Sequence, residues 1–262
     1  MRTDIILLDI PSTLQNPISP HVWKVRMVLN YKKLRYHNQW VPTVKIEATS
    51  RALGIPPTGT KPDGRPHYTL PAIIDRTNSE HPVVLSDSIP IIEYLERAYP
   101  AMPDDALFPP RTRETQVQFN RGAVMQIMFK IPELAANAHL ASKVEEDRPE
   151  FRARFEKLYG KPFDQIEKRG EEREALCKRL QQDFKCVADM IDKNEKGPFL
   201  MGERIRFMDF ALCGCLMFIK CLSPDDVWVR ICSWQGGRWA RYFDAFQEFT
   251  NVGGPPMTTS VS

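Results

Sequence analysis

No cysteine occurs before residue 177 in this chain of 262 residues, so chemistry in its first two-thirds must proceed without a protein thiol. The cysteines that do occur are Cys177, Cys186, Cys213, Cys215, Cys221 and Cys232. They form no C-x-x-C pair, and no histidine stands at zinc-ligand spacing from them. Cys213, Cys215 and Cys221 lie in the apolar run "FALCGCLMFIKC", a setting for buried, inert thiols rather than a metal or redox centre. No metal cofactor is expected. An excess of either charge is also missing: 36 basic residues against 33 acidic ones leave +3. No dense basic stripe marks a nucleic-acid surface. The run "KVRMVLNYKKLRYH" interleaves Lys and Arg with apolar residues at helical spacing, and it reads mainly as a solvated helix face. No segment approaches the ~18 consecutive apolar residues of a membrane span. The apolar run in "MRTDIILLDIPST" is too short for a signal sequence and is flanked by Asp4 and Asp9, so it reads as a first strand. A cytoplasmic protein, with no membrane or nucleic-acid partner, is the expectation.

What remains is an ordinary globular composition, 42% apolar and 26% charged, long enough for one large domain or two smaller ones. The segment "YPAMPDDALFPPRT" carries Pro100, Pro103, Pro109 and Pro110, which remove backbone donors and turn their neighbours away from helix. It divides the chain into residues 1–100, a linker at 101–112, and residues 113–262.

Before the linker, strand and helix signals alternate. "DIILLD" is a short buried strand. A helix runs from Pro20 to about Lys33, and "RYHNQWVP" is a second strand. "KIEATSRALG" is a short helix stopped at Gly54. "PTGTKPDGRPHY" is a turn-rich loop. "LPAIID" and "PVVLS" are two more strands, and "SDSIPIIEYLERAYP" is a helix with Pro90 in its first turn. The order is β-α-β-α-β-β-α, an α/β unit. After the linker the signals are helical: a long pattern bent near Pro132, two charged helices, the all-round apolar "RFMDFALCGCLMFIKCL" as a central buried helix, and "GGRWARYFDAFQEF". The tail "GGPPMTTSVS" is weakly ordered by composition.

Three short motifs in the first part have chemical potential. Ser19-Pro20 pairs a favoured helix cap with a favoured first helical residue. No Glu or Gln follows three residues later, so a full capping box is absent. The same helix start favours an anion, to which a serine hydroxyl could donate. In "YTLPAI", Pro71 stands where a strand begins; it fits a cis Leu70-Pro71 turn or a plain trans proline on an edge strand. In "SDSIPIIEYL", Ser86 or Asp87 could simply cap the helix. Alternatively, Ser88 and the helix start hold a carboxylate while Asp87 pairs with an amino group. His21, His67 and His81 have no G-x-S-x-G or similar context, which argues against a Ser/His/Asp triad.

The element order followed by an all-helical part, with "SPHVWKVR", "TLPAI" and "SDSIPIIEYL" in sequence, resembles the soluble glutathione transferases. "DIPST", "SPHVWK", "VLNYK" and "PPTGTKPDGRPHYTLP" are similar, more narrowly, to the fungal FuA-type transferases, which are related to bacterial β-etherases. The resemblance covers nearly the whole chain. It implies a thioredoxin-like N-terminal domain that binds glutathione, an all-α C-terminal domain that supplies a hydrophobic substrate pocket, and a homodimer. The family's catalytic position, just before the proline that opens the first helix, is Ser19. Where related classes carry a cysteine there and perform disulfide exchange, a serine would donate to the glutathione sulfur and favour its thiolate.

The resemblance further implies that the glutathione peptide pairs with the backbone of Leu70 beside Pro71, and that Asp87 and Ser88 hold its γ-glutamyl end. Trp40, Lys61 and Tyr68 would contact the remainder. Phe119, Met125, Met128 and Phe129 are candidates for the second-substrate pocket, core packing being the other use of such a stripe. Aromatic, electrophilic small molecules, xenobiotic or wood-derived, are the implied substrates. A storage protein for polyphenols, or a regulatory module on the same fold, are the competing expectations. One departure concerns the helical domain. The family usually places Ser or Thr three residues before a buried Asp; here the Asp is Asp209 and the earlier residue is Arg206, so the usual cap of that helix is in doubt.

Overall fold

The computed structural model describes residues 3–194 and 196–253. Strand β1 (Ile5–Asp9) is buried along its whole length, as its unbroken apolar run requires. Helix α1 (Pro20–Tyr31) follows, then β2 (Tyr36–Trp40) and α2 (Ile46–Ala52). Gly54, just past α2, adopts a left-handed φ of 66°, and Ile55 N–H closes the turn on the Ser50 carbonyl at 2.8 Å. The loop expected next carries a two-stranded hairpin, β3 (Gly59–Thr60) with β4 (Pro66–His67). Strands β5 (Ala72–Asp75) and β6 (Val83–Ser86) and helix α3 (Ser88–Ala98) complete the α/β unit. The main sheet is mixed, in the order β2-β1-β5-β6; β1 is parallel to β2 and antiparallel to β5, and β5 is antiparallel to β6.

The remainder is helical. The long pattern after the linker is not one helix. It divides into α4 (Arg113–Phe119), a π-helical turn at Asn120–Val124, α5 (Met125–Met128) and, past a break, α6 (Ile131–Ala141). Helices α7 (Arg148–Tyr159) and α8 (Gly170–Asp192) are the charged pair, and α9 (Phe207–Leu222) is the buried central helix. Then come α10 (Val227–Ser233), which the sequence pattern had not indicated, and α11 (Arg238–Asp244). The expectation of a weakly ordered tail falls on residues outside those described, beyond Gly253.

The two parts share one core, with α1 packed along α9. Their contact depends on Gly214: a Cβ there would lie 2.6 Å from the Pro20 carbonyl oxygen and 3.2 Å from Lys24 Cγ. Two residues of the α1 basic run correct the reading of that run as a solvated face. Lys24 is 1% exposed and Arg26 0%. Arg26 forms an ion pair with Asp9 at 2.6 Å and also donates to Asn38 Oδ1 and to the carbonyl of Val252. Asn38 and Asn30 donate to neighbouring carbonyls between Phe249 and Gly253, so α1 and β2 together bind the C-terminal segment.

The start of α9 is satisfied without the hydroxyl cap. Asp209 Oδ2 accepts from Arg206 N–H at 2.8 Å, Phe207 N–H donates to the Leu107 carbonyl, Met208 N–H donates to Gln116 Oε1 at 3.0 Å, and Asp209 N–H reaches the Arg206 carbonyl. All the donors that a helix start leaves over are thereby used. The Arg206 guanidinium instead binds the carbonyls of Asp104 and Ala106, at 3.0 and 2.5 Å. The arginine that replaces the cap clamps the proline-rich linker.

Candidate functional site

Three pieces of chain meet at one end of the sheet. Leu8 is in register with Ala72, and Ala72 with Ser86. The exit of β1, the entry of β5 and the exit of β6 therefore lie side by side. Leu70-Pro71 precedes β5, Asp87-Ser88 follows β6, and Ser19 opens the helix that follows β1. Asp87 N–H donates to the Pro71 carbonyl at 3.1 Å, so the second and third motifs share a hydrogen bond.

The chain around Ser19 is held from both sides. Trp23, buried in α1, donates its indole N–H to the Pro17 carbonyl at 2.7 Å. Thr13 is bonded through its N–H and its hydroxyl to the carbonyls of Ser142 and Ala141, at 2.9 and 2.8 Å. Ser19 is the N-cap of α1, 9% exposed, and its Oγ accepts from Val22 N–H at 3.4 Å. In that bond the hydroxyl is the acceptor. Its own hydrogen has no acceptor among the described residues, so capping leaves a donor free at the positive end of the helix. Next to it, burial and the Lys24 charge lower His21 to about 3, so this imidazole is neutral near pH 7.

The Leu70-Pro71 bond is cis. Leu70 lies outside the strand ladder, and its N–H and carbonyl have no partner among the described residues. They form an open peptide edge. At the third motif neither residue read as a possible cap performs that task. Ser86 Oγ donates to the Pro56 carbonyl at 2.7 Å, and the Asp87 side chain makes no cap bond. The N–H groups of Ser88 and Ile89 therefore keep no partner among the described residues. An eleven-residue helix thus offers free donors to an anion. Asp87 is exposed and holds φ 72°, ψ 136°, a backbone state costing a non-glycine residue about 1–3 kcal/mol. Ser88 is buried beside it, its Oγ 3.5 Å from Asp87 Oδ1.

The other expected contacts occupy two places. Lys61 Nζ donates to Glu47 Oε2 at 3.0 Å, and Tyr68 lies under the Arg51 guanidinium, 5.2 Å from ring centre to Cζ. Arg51 also donates to Glu47, and these bonds, Lys61 first, hold the Glu47 carboxyl below its usual range. Glu47 and Arg51 were not among the expected site residues, although their four-residue spacing on a helix was a usable signal. Trp40 sits elsewhere: it lines a 260 Å³ cavity with Pro11, Leu14, Pro17 and Val252.

The four pocket candidates differ in burial. Phe119 is 6% exposed and belongs to the core, Phe129 is 68% exposed, and Met125 and Met128 are half-buried. The π-helical turn between Phe119 and Met125 changes the spacing that had placed them together. Cys213 and Cys215 are buried, and burial raises both thiols, Cys215 to about 12, in keeping with inert packing. Among the described residues no cluster of His, Cys, Asp and Glu could hold a metal ion, and no helix is long and apolar enough to cross a membrane.

Two family models match the chain. The glutathione S-transferase N-terminal domain matches residues 18–98, and the glutathione S-transferase C-terminal domain matches residues 115–249. The chain belongs to the glutathione S-transferase family. Among similar proteins is the glutathione S-transferase-like protein ustS of Aspergillus flavus, 31% identical over 221 residues that cover 78% of this chain and 76% of that one. The crystal structure of glutathione transferase GSTFuA3 from Phanerochaete chrysosporium superposes with a TM-score of 0.87 at 31% identity, over 97% of this chain and 100% of that one. Glutathione S-transferase CsGST63524 of Ceriporiopsis subvermispora, solved in complex with glutathione, gives 0.87 at 27% identity, over 96% and 99%. This glutathione S-transferase is thus similar to the fungal FuA-type proteins, as its motifs had implied. Its fold is the family's α/β N-terminal domain joined to a helical C-terminal one.

Proposed function

We propose that this glutathione S-transferase is a catalyst of the serine type, which binds glutathione at the end of the sheet and directs its thiolate at electrophilic, hydrophobic aromatic molecules. The observation that carries the reading is the Ser19 hydroxyl, which caps α1 as an acceptor and retains its hydrogen as a donor. A glutathione sulfur at hydrogen-bond distance from Oγ would receive that hydrogen and the favourable end of the α1 dipole, both of which lower a thiol pKa. No protein base is needed, because the bound thiol gives its proton to water.

The donor set suits the rest of the tripeptide. The free backbone of Leu70 matches a peptide, the open N–H groups of α3 with Ser88 match a carboxylate, and Asp87 matches an amino group. Lys61, Arg51 and Tyr68, joined to one another through Glu47 and a stacked guanidinium, are the residues this reading assigns to the glycyl end. Residues 1–100 thus form the glutathione-binding domain. Residues 113–262 contribute the second pocket, with Met125 and Met128 its walls and Phe119 reassigned to the core. The thiolate then forms a C–S bond to the electrophile. In an aryl halide the bonding pair leaves with the halide, and in an aryl ether with the phenolate oxygen, which takes up a proton from water; in an enone the C=C pair moves to the α-carbon, which takes up a proton from water. The same reading takes the protein as a cytoplasmic homodimer, which sedimentation of the purified protein would check.

The test is turnover of glutathione with activated aryl halides, enones and aryl ethers by wild type and Ser19→Ala. Loss of turnover with retained glutathione binding supports the reading. Unchanged turnover reduces Ser19 to a helix cap. Binding of aromatic ligands with no turnover of any electrophile would make the protein a store for such compounds.

A further inference from the structure

The Ser19 hydroxyl is only loosely fixed by its own bond. Oγ and Val22 N are 3.4 Å apart, near the outer limit of a hydrogen bond. Its place is therefore set by the backbone that carries it, and that backbone is gripped by Trp23, one turn further along α1. The indole N–H donates to the Pro17 carbonyl at 2.7 Å, and the main-chain N–H donates to the Ser19 carbonyl at 3.0 Å. The two carbonyls bracket Ile18 and Ser19. The second bond is the ordinary first bond of a helix, which any residue but proline would make. The first needs a side-chain donor at that one atom. Among the described residues the other donor on the Pro17 carbonyl is the Cys221 thiol, a weak one at 3.9 Å.

Trp23 is 1% exposed, and its ring is itself anchored. The Arg26 guanidinium lies over it, 5.4 Å from ring centre to Cζ, and Arg26 is paired with Asp9, the last residue of β1, at 2.6 Å. Side chains thus tie the end of β1 to the start of α1 across the connection at residues 10–19. Leu14 and Gln15 in that connection are exposed, and the Pro17 carbonyl is where the chain is fastened again before Ser19. A phenylalanine would fill the core at position 23 with no polar demand, whereas a buried indole N–H needs a partner. We propose that Trp23 is a positioning residue for Ser19. By holding the Pro17 carbonyl, its indole N–H keeps the Ser19 hydroxyl aligned with the glutathione sulfur and so helps to set the thiol pKa through the backbone. This rests on the serine reading above.

The experiment titrates the thiol of bound glutathione in the ultraviolet. It also measures kcat and KM across pH with an activated aryl halide, for wild type, Trp23→Phe, Ser19→Ala and the double variant. Phe keeps an aromatic ring and removes the donor. If Trp23→Phe fails to fold, as judged by circular dichroism, 3-benzothienylalanine at position 23 takes its place, with sulfur where the indole carries N–H. The expected result for Trp23→Phe is a thiol titration moved to higher pH and a kcat lowered about tenfold on the acid side of it. The KM for glutathione should change less than about twofold, and the loss in kcat should close as pH rises. In the Ser19→Ala background the same substitution should add nothing, because Trp23 acts through that hydroxyl. A loss equal at every pH, or one that persists in full without Ser19, would make Trp23 a packing residue and overturn the proposal. So would an unmoved thiol titration in Trp23→Phe where Ser19→Ala does move it. If Ser19→Ala itself leaves the titration unmoved, the serine reading falls, and this one with it.

Discussion

Ser19 Oγ and Val22 N lie 3.4 Å apart, with the hydroxyl as acceptor. The bond is long, so its contribution as a cap is at the low end of the ~0.5–2 kcal/mol range for such residues. Structural and chemical roles therefore separate on substitution. Ser19→Ala should lose roughly 0.5–1 kcal/mol of stability in urea titration. It should lose about a hundredfold in kcat/KM, the scale of one lost donor to a reacting anion. Ultraviolet titration of bound glutathione should show its thiol pKa raised, and Ser19→Thr should recover most of both losses. A large stability loss without change in the thiol titration would assign Ser19 to the fold alone.

Gln116 is fully buried and joins α4 to the start of α9: its Oε1 accepts from Met208 N–H at 3.0 Å and its Nε2 donates to the Leu107 carbonyl at 2.9 Å. Gln116→Leu leaves the Met208 N–H unsatisfied at similar volume, while the Leu107 carbonyl keeps the Phe207 N–H. The expected loss is about 1–3 kcal/mol per unsatisfied group, read from chemical denaturation. A Thr at position 206 would be a poor remedy, because removing the Arg206 guanidinium also frees the linker carbonyls of Asp104 and Ala106.

Asp209 is buried at the start of α9 and accepts from Leu200 N–H, Arg206 N–H and the Tyr242 hydroxyl. Burial, opposed by these bonds, raises its carboxyl from 3.8 to about 6. A group whose native pKa lies above its unfolded value adds stability below the unfolded pKa, and that stability fades as pH rises through the native one. Between pH ~4 and ~6, wild type should therefore lose about 3 kcal/mol relative to Asp209→Asn, at ~1.4 kcal/mol per unit. Urea midpoints of the two proteins at pH 4 and pH 7 test this. A constant difference between them would contradict the buried-carboxyl account.

Gly214 allows α9 to approach α1, and a Cβ would sit 2.6 Å from the Pro20 carbonyl oxygen. Gly214→Ala should cost about 1–3 kcal/mol by overpacking. Because Pro20 follows Ser19 directly, the displacement should also weaken glutathione binding. Binding by the refolded variant with wild-type affinity would show that α1 moves as a unit without disturbing the site.

Much of this architecture was legible in the order of residues. The run "IILLD" fitted a buried strand, Gly54 fitted the end of a helix, and the prolines between Pro100 and Pro110 marked a break in regular structure. These are local matters of backbone freedom and hydrophobic period, and they sufficed to place Ser19, Pro71 and Asp87 at element ends. The family likeness added the order in which those ends would be used.

What folding alone decided is which polar groups are left over. Whether Ser86 or Asp87 caps α3 depends on Pro56, thirty-one residues before Asp87, whose carbonyl takes the Ser86 hydroxyl. Whether α9 lacks a cap depends on Gln116, ninety residues before Arg206 and brought to it by the packing of α4. Lys24 and Arg26 look like surface charges in a periodic pattern. They are buried because α9 and the C-terminal segment close over α1. The π-helical turn at Asn120–Val124, between Phe119 and Met125, interrupts a pattern that reads as one helix in the sequence. Hydrophobic period is written residue by residue, whereas hydrogen-bond satisfaction and burial of charge are properties of pairs distant in sequence, settled only when the elements meet.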